Sequence, residues 1–168
     1  MSSSLQRTRI RELLARTEPL PAVVVKGWVR TLRKGKEVAF AALGDGSCLA
    51  PLQVVLSPEL PDFEAIARVG TGACLAVEGA LVPSPAAGQR WELHARSVTL
   101  LGDADAEYPL QKKHHSLEFL RSIAHLRPRA NTFGAVFRVR SALAYAVHRF
   151  FQERGFLYVQ TPIITASD

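Results

Sequence analysis

Apolar and polar residues alternate along five stretches of the first hundred residues, and this period of two predicts β-strands. The predicted strands cover residues 22–33, 37–43, 49–56, 73–82 and 90–101. Between the third and fourth strands, at residues 61–69, apolar residues recur at helical spacing, which predicts a short helix. Pro51 lies near the start of the third strand and indicates a sheet edge or a bulge there.

Five short strands with a helix between the third and fourth are the layout of an OB-fold, which binds oligonucleotides on one face of its barrel. We therefore predict a mainly β chain with α-helices, in which residues 21–102 form a five-stranded OB-fold Greek-key barrel. Other small barrels share the strand count, and the position of the helix favours the OB-fold.

The remaining segments have helical patterns. Residues 1–20 predict a helix with Ser4 as its N-cap and with Ile10, Leu13 and Leu14 on one face. Residues 103–130 predict a linker, acidic at first, in which Ser116 caps a second helix. Residues 131–168 predict the start of another domain, with a helix at 133–154 and a strand at 156–159.

Composition and charge narrow the class of partner. The chain has 168 residues, of which 48% are hydrophobic and 21% charged, and these proportions are typical of a globular protein. Its net charge of +6 favours a polyanionic partner, and nucleic acid is a better candidate than an anionic membrane surface. No apolar run reaches transmembrane length, and the N-terminus lacks the apolar core of a signal peptide.

Residues that carry chemistry are few. Cys48 and Cys74 have no CxxC companion, so we expect no zinc site and no disulfide, and two free thiols suit a reducing cytoplasm. His114 and His115 are adjacent and point apart, so they cannot jointly bind a metal. A phosphate-binding loop, a nucleophile elbow and a carboxylate pair are all missing from the sequence, which predicts no complete active site in this chain.

Basic residues concentrate in the first strand and the turn after it. Their two interpretations are a solvated surface and a set of phosphate contacts. The residues are Lys26, Arg30, Arg33, Lys34 and Lys36.

Three further side chains are candidates for contact with bases. Phe40 lies among alanines, which favours a core position, although on a binding face its ring would stack on an unpaired base. Gln53 lies between two apolar residues and is expected to face outward, where its amide can read a base edge. Glu92 follows Trp91 in the fifth strand and could contact a base in the same way. For Gln53 and Glu92 alike, the alternative is an ordinary polar surface residue.

Several segments resemble one family of enzymes. The first strand begins VKGWVR at residues 25–30, and residues 115–129 read HSLEFLRSIAHLRPR, followed by NTFG at 131–134. Residues 155–164 read GFLYVQTPII and are followed by TASD. With these motifs the chain resembles class II aminoacyl-tRNA synthetases of the aspartate/asparagine/lysine subgroup, most of all the bacterial-type asparaginyl enzymes.

The resemblance implies roles for particular residues. In this family the barrel binds the tRNA anticodon, with a stacking phenylalanine at Phe40 and a base-reading glutamine at Gln53. A base-contacting glutamate corresponds to Glu92, and a backbone-contacting arginine to Arg33. The segment with Gly155, Phe156 and Pro162 is similar to motif 1, which forms the dimer interface of the family.

The resemblance also implies a reaction. The whole enzyme joins asparagine to its tRNA at the expense of ATP, with Mg²⁺, and acts as a cytoplasmic homodimer. The arginines and carboxylates that hold ATP and metal in the family have no counterpart in this chain. We therefore expect the chain to bind tRNA without catalysis and to hold no metal. Two alternatives are a freestanding OB-fold module for tRNA or other single strands, and an interaction module that dimerises through residues 133–164.

Overall fold

A computed structural model describes residues 6–35, 37–162 and 164 of the chain. The chain divides into two compact units, Met1–Leu126 and Arg127–Asp168. The first contains the barrel and the second contains one long helix.

The first unit is built on a closed five-stranded barrel. Its strands are β1 (Leu20–Lys34), β2 (Ala39–Gly44), β3 (Leu52–Leu56), β4 (Cys74–Pro83) and β5 (Trp91–Gly102). Their order around the barrel is β1-β2-β3-β5-β4, and only the β3–β5 pair is parallel among these strands. A short helix, α2 (Phe63–Ile66), follows β3. This arrangement confirms the predicted five-stranded barrel with a helix between its third and fourth strands, and the barrel is closed.

The core of the barrel follows from strict alternation. In β3, Leu52, Val54 and Leu56 are fully buried, whereas Gln53 and Val55 face outward and are half-buried. Apolar inward positions of the other strands join them in one cluster. Burying a leucine side chain of this kind stabilises the fold by about 1.5–3 kcal/mol. The alternation therefore fixes which side chains are available on the outside.

The third strand is shorter than predicted. It begins at Leu52 because the preceding residue, Pro51, has no N–H group to donate to a neighbouring strand. Pro51 therefore lies before the strand, and it marks neither an edge nor a bulge within it.

Strands β4 and β5 approach each other closely at Gly79. The pairing register shifts between Glu78 and Gly79. A Cβ atom built on Gly79 would overlap the carbonyl oxygen of His94. Only glycine therefore allows β5 to run at this distance from β4.

The first helix, α1 (Ile10–Leu14), is shorter than predicted and begins later. Its predicted N-cap, Ser4, lies outside the described residues. The N–H groups of Ile10 and Arg11 donate instead to the side chains of Asp45 and Ser47, both at 3.0 Å. These acceptors belong to the loop after β2, so a distant segment satisfies the free donors that begin the helix. The apolar face was predicted correctly, since Ile10 and Leu13 are fully buried.

The linker helix confirms a predicted cap. Helix α3 (Leu117–Ser122) follows Ser116, whose Oγ accepts a hydrogen bond of 3.1 Å from the N–H of Phe119. This is the interaction that makes serine a favoured N-cap.

The second unit contains α4 (Asn131–Gln152), the predicted long helix. Gly155, with φ of +82°, ends it, and the Phe156 N–H donates to the Phe151 carbonyl at 3.2 Å. The strand predicted at residues 156–159 is wrong, because the described residues there have no strand pairing. A strand needs a partner edge, and the described part of the chain supplies none. No described helix is long and apolar enough to cross a membrane.

Candidate nucleic-acid interface

Two rows of outward side chains cross the barrel over β1, β2, β3 and β5, and we call this surface the outer face. Each row contains one residue from each strand, paired in register. The first row is Arg33, Phe40, Val55 and His94, and the second is Thr31, Ala42, Gln53 and Glu92. The register therefore brings Phe40, Gln53, Glu92 and Arg33 to one surface, although they lie far apart in the sequence.

Phe40 lies on the outer face and not in the core. Its neighbours Ala39 and Ala41 point inward and are fully buried, whereas Phe40 is half-buried. The core position favoured by composition is therefore wrong. The guanidinium carbon of Arg33 lies 5.8 Å from the centroid of the Phe40 ring. This contact combines an aromatic surface with a positive charge, which suits a base and its phosphate.

Gln53 has the outward orientation predicted from its apolar neighbours. It is half-buried and pairs in register with Ala42 on β2. Its amide can both donate and accept hydrogen bonds, which suits contact with a base edge.

Glu92 is on the outer face but is covered. Only 5% of the residue is exposed. One carboxylate oxygen lies 2.8 Å from Nε2 of His94, and the other accepts from the hydroxyl of Ser84 at 3.1 Å. The sequence predicted Glu92 on the surface, like Gln53. Its strand position does face outward, but the side chain is buried.

The basic residues differ in their surroundings. Arg33 is exposed beside Phe40, and Lys26 is exposed further back along β1. Arg30 donates to the carbonyl oxygen of Leu49 at 3.0 Å. Lys36 lies outside the described residues.

Lys34 points away from Arg33, towards α2. Its ammonium group donates to Glu64 at 2.6 Å, and this hydrogen bond lowers the pKa of the Glu64 carboxyl. Of the predicted phosphate contacts, Lys34 is thus already engaged with an acidic partner.

The residues expected at a dimer interface follow the long helix of the second unit. Gly155 ends that helix, Phe156 is 60% exposed with its ring 5.4 Å from that of Phe151, and Pro162 is exposed. On α4 itself, none of the described residues is buried.

Sequence reasoning missed His94 and its neighbours. The signal was available, because His94 is the next outward position after Glu92 in an alternating strand. The covering loop was not predictable in this way. Its residues Ser84 and Gln89 contact the site through hydrogen bonds that depend on the shape of the loop.

A metal centre finds no support in the described part of the chain. Among those residues, no group of three or more His, Cys, Asp or Glu side chains could hold a metal ion. Cys48 and Cys74 are free thiols.

Comparisons with a protein family and with solved structures agree with the fold described above. Residues 23–101 match the family described as OB-fold nucleic acid binding domain. The fold is also similar to that of asparaginyl-tRNA synthetase from Entamoeba histolytica, with a TM-score of 0.80 and 20% identity over 99% of this chain and 40% of that one. The asparaginyl-tRNA synthetase from Pyrococcus horikoshii, solved with asparaginyl-adenylate, aligns with a TM-score of 0.79 and 21% identity, over 94% of this chain and 37% of that one.

Sequence similarity extends beyond the barrel. The chain is 62% identical over 162 residues to an asparagine–tRNA ligase of Geotalea uraniireducens, and 65% identical over 163 residues to one of Geobacter sulfurreducens. These alignments cover 96% and 97% of the chain, whereas the chain spans 35% of the length of each relative.

Proposed function

The chain is homologous over nearly its whole length to asparagine–tRNA ligases, and from this premise we propose that it supplies the anticodon-binding part of such a ligase. The activity of the whole enzyme would be the ATP-dependent joining of asparagine to its tRNA. The observation that carries the proposal is the outer face, where strand register brings an aromatic ring, an amide and a guanidinium together.

In this proposal each side chain has a separate task. Phe40 stacks on one unpaired anticodon base, and Arg33, in contact with the same ring, binds the adjacent phosphate. Gln53 forms hydrogen bonds with the edge of a base and so contributes specificity. The other basic residues of the first strand and the turn after it, Lys26, Arg30, Lys34 and Lys36, attract the backbone of any RNA alike.

ATP and Mg²⁺ belong to the proposed activity of the whole ligase. This chain spans 35% of the length of those relatives, and its described residues offer no cluster of metal ligands. The purified chain of 168 residues should accordingly bind tRNA and show no asparagine-dependent exchange of pyrophosphate into ATP. Detectable exchange would contradict the proposal that this chain binds tRNA without catalysis.

The proposal also includes a dimer interface and a cellular location. The apolar face of α4, together with Gly155, Phe156 and Pro162, would contribute to a homodimer interface through motif 1. A cytoplasmic location agrees with the two free cysteines.

A freestanding OB-fold module is not favoured. The homology to the ligases covers 96% of the chain, whereas the OB-fold match ends at residue 101. A pure interaction module is not favoured either, because the outer face combines groups that suit nucleotides.

The test measures binding of tRNA to the Phe40→Ala variant. Loss of a stacking ring should weaken binding of the asparagine-acceptor tRNA by about 1–3 kcal/mol. Phe119→Ala is the matched control, since Phe119 is an exposed aromatic residue outside the barrel. Circular dichroism checks that both variants fold. Unchanged affinity in a folded Phe40→Ala protein, or equal affinity for tRNAs with altered anticodons, would contradict the proposed function.

A further inference from the structure

The segment before α1, residues 6–9, lies along the first half of β1. Arg7 forms a parallel bridge with Val24, and the N–H of Thr8 donates to the Val24 carbonyl at 2.9 Å. On its other edge this half of β1 pairs with β4, whereas β2 pairs with β1 only from Trp28 onwards. The N-terminal segment therefore covers part of a strand edge that β2 leaves open.

The loop after β2 fixes this segment in place. The Asp45 carboxylate accepts hydrogen bonds from the Ile10 N–H at 3.0 Å and from the Arg7 guanidinium at 3.4 Å. The Ser47 hydroxyl oxygen accepts from the Arg11 N–H at 3.0 Å. Because Ile10 is also fully buried in the core of the barrel, the arginines of this segment have defined positions.

The segment presents arginines to solvent at alternate positions. Arg7, Arg9 and Arg11 are all exposed. The backbone of Arg9 is extended, with φ of −75° and ψ of 143°, so alternation puts its side chain on the same side as that of Arg7. Continued by two residues, the register that pairs Arg7 with Val24 brings Arg9 close to Lys26, which is exposed as well.

Acidic side chains do little to neutralise these four cations. Only Arg7 forms an ion pair among the described residues, with Asp45 at 3.4 Å. Glu12 on α1 is exposed and forms no ion pair with a described residue. The planar guanidinium of arginine matches the geometry of a phosphate group, so a set of exposed arginines with few acidic partners suits a nucleic-acid backbone.

These cations continue the outer face towards the N-terminus. Beyond the second row, the side chain of Arg30 crosses β2, since a Cβ atom built on Gly44 would lie 3.2 Å from its Cδ. Asp45, which holds the N-terminal segment, directly follows Gly44. Four residues along β2 separate Phe40 from Gly44, a distance of about 13 Å at about 3.3 Å per residue. A strand of RNA that stacks a base on Phe40 can therefore extend to these arginines.

We infer that Arg7, Arg9, Arg11 and Lys26, which we call the N-terminal cluster, bind the phosphate backbone of the RNA beside the anticodon bases. The contact is with phosphate groups, so it positions the RNA without reading its sequence. The inference extends the proposed function and rests on it for the identity of the RNA as tRNA.

The test measures affinity for the anticodon stem–loop of asparagine tRNA over a range of salt concentrations. Arg9→Gln and Arg11→Gln should each lower the slope of log affinity against log salt by about 0.7, the value for one lost phosphate contact. This corresponds to binding about fourfold weaker at about 0.15 M salt, with the difference disappearing near 1 M. Stem–loops with altered anticodons should be weakened by the same factor.

Arg96→Gln is the matched control, because it removes the same charge from an exposed arginine on β5 that has no described ion pair. It should leave the slope nearly unchanged. If Arg9→Gln and Arg11→Gln bind like Arg96→Gln at every salt concentration, the N-terminal cluster does not contact the RNA and the inference is overturned. A changed preference among anticodons would also overturn it, since the arginines would then read bases.

Vesicles of phosphatidylglycerol and phosphatidylcholine are the second probe. Loss of vesicle binding in Arg9→Gln and Arg11→Gln, with RNA affinity retained, would assign the N-terminal cluster to a membrane surface and overturn the inference. The proposed function fails separately, if the unsubstituted chain does not prefer the asparagine anticodon over altered ones. The inference can fail while that preference is intact, so the two failures are distinguishable.

Discussion

Asp45 connects segments that are distant in the sequence. Its side chain, 1% exposed, accepts hydrogen bonds from Ser47 in its own loop, from the N–H of Ile10 at the start of α1, and from Arg7. Burial by itself raises the pKa of Asp45, but these hydrogen bonds outweigh it and hold the pKa below its usual value. One carboxylate thus attaches the N-terminal segment to the barrel.

Asp45→Asn should therefore destabilise the chain in a way that depends on pH. The variant keeps an acceptor but loses the charge near the helix N-terminus, so near pH 7 it should be about 1 kcal/mol less stable. A group whose pKa is depressed in the folded state stabilises it above the pKa of the unfolded state, about 4 for aspartate, and this stabilisation is lost as pH falls through the folded pKa. The difference in the free energy of unfolding between the two proteins should therefore be smaller at low pH.

Urea unfolding of both proteins at pH 7 and at pH 3 measures this difference. Asp103→Asn is the control, because Asp103 is exposed and accepts only from its neighbour Ala104 among the bonds described. A deficit that stays constant from pH 7 to pH 3 would show that lost packing, and not charge, causes the effect.

Single residues of the outer face differ in how far sequence predicts them. Gln53 was predictable because its two neighbours in the strand are apolar and must face inward. Phe40 was not, because alanine neighbours fit either orientation of the strand. The burial of Glu92 was out of reach, since it depends on the path of the loop that carries Ser84 and Gln89.

At the scale of elements, α4 carries an apolar stripe, and none of the described residues of this helix is buried. Its positions repeat every three or four residues and all are about half exposed or more. They are Val136 (51%), Val139 (59%), Leu143 (61%), Val147 (56%) and Phe150 (49%). A helix with such a stripe normally buries it against another element, and an exposed patch of this kind marks an interaction surface.

We expect the chain to self-associate through this face. Leu143→Glu places a charge in the stripe and should shift the chain towards monomer, as measured by light scattering over a range of concentrations. Ser141→Glu is the matched control, because it adds the same charge on the opposite side of the helix. Equal self-association of the two variants would exclude α4 as the contact.

Elements were predictable where their own residues determine them. Strand β3 alternates between core and surface, so its pattern alone identifies it. The start of α1 was misplaced because its capping groups, Asp45 and Ser47, come from a loop more than thirty residues away. The strand expected at residues 156–159 needs an edge to pair with, and such an edge is not encoded in the segment itself.

For the molecule as a whole, the net charge of +6 predicts RNA binding that weakens with salt. The structure distinguishes between the cations that produce it. Lys26 is exposed and forms no ion pair with an acidic side chain among the described residues. Lys34 is held by Glu64 at 2.6 Å and must leave it to reach a phosphate.

Lys26→Ala should lower the slope of log affinity against log salt by about 0.7, the value for one contact with a single strand. Lys34→Ala should change the slope less, since its charge is already partly neutralised. Titrations of tRNA at several salt concentrations give both slopes, and neither variant should alter the preference among anticodons. A larger change for Lys34→Ala than for Lys26→Ala would contradict this ranking.

The close approach of Gly79 to the His94 carbonyl on β5 limits how the outer face can be altered. A side chain at position 79 would push β5 outward. Glu92 and His94, the two residues that β5 contributes to the outer face, would move with it. Changes to the outer face can therefore be made one at a time at outward positions such as Gln53 and His94, which do not take part in this close contact. Position 79 must stay glycine throughout, and a mutagenesis library that varies its codon would yield mostly variants with a displaced outer face.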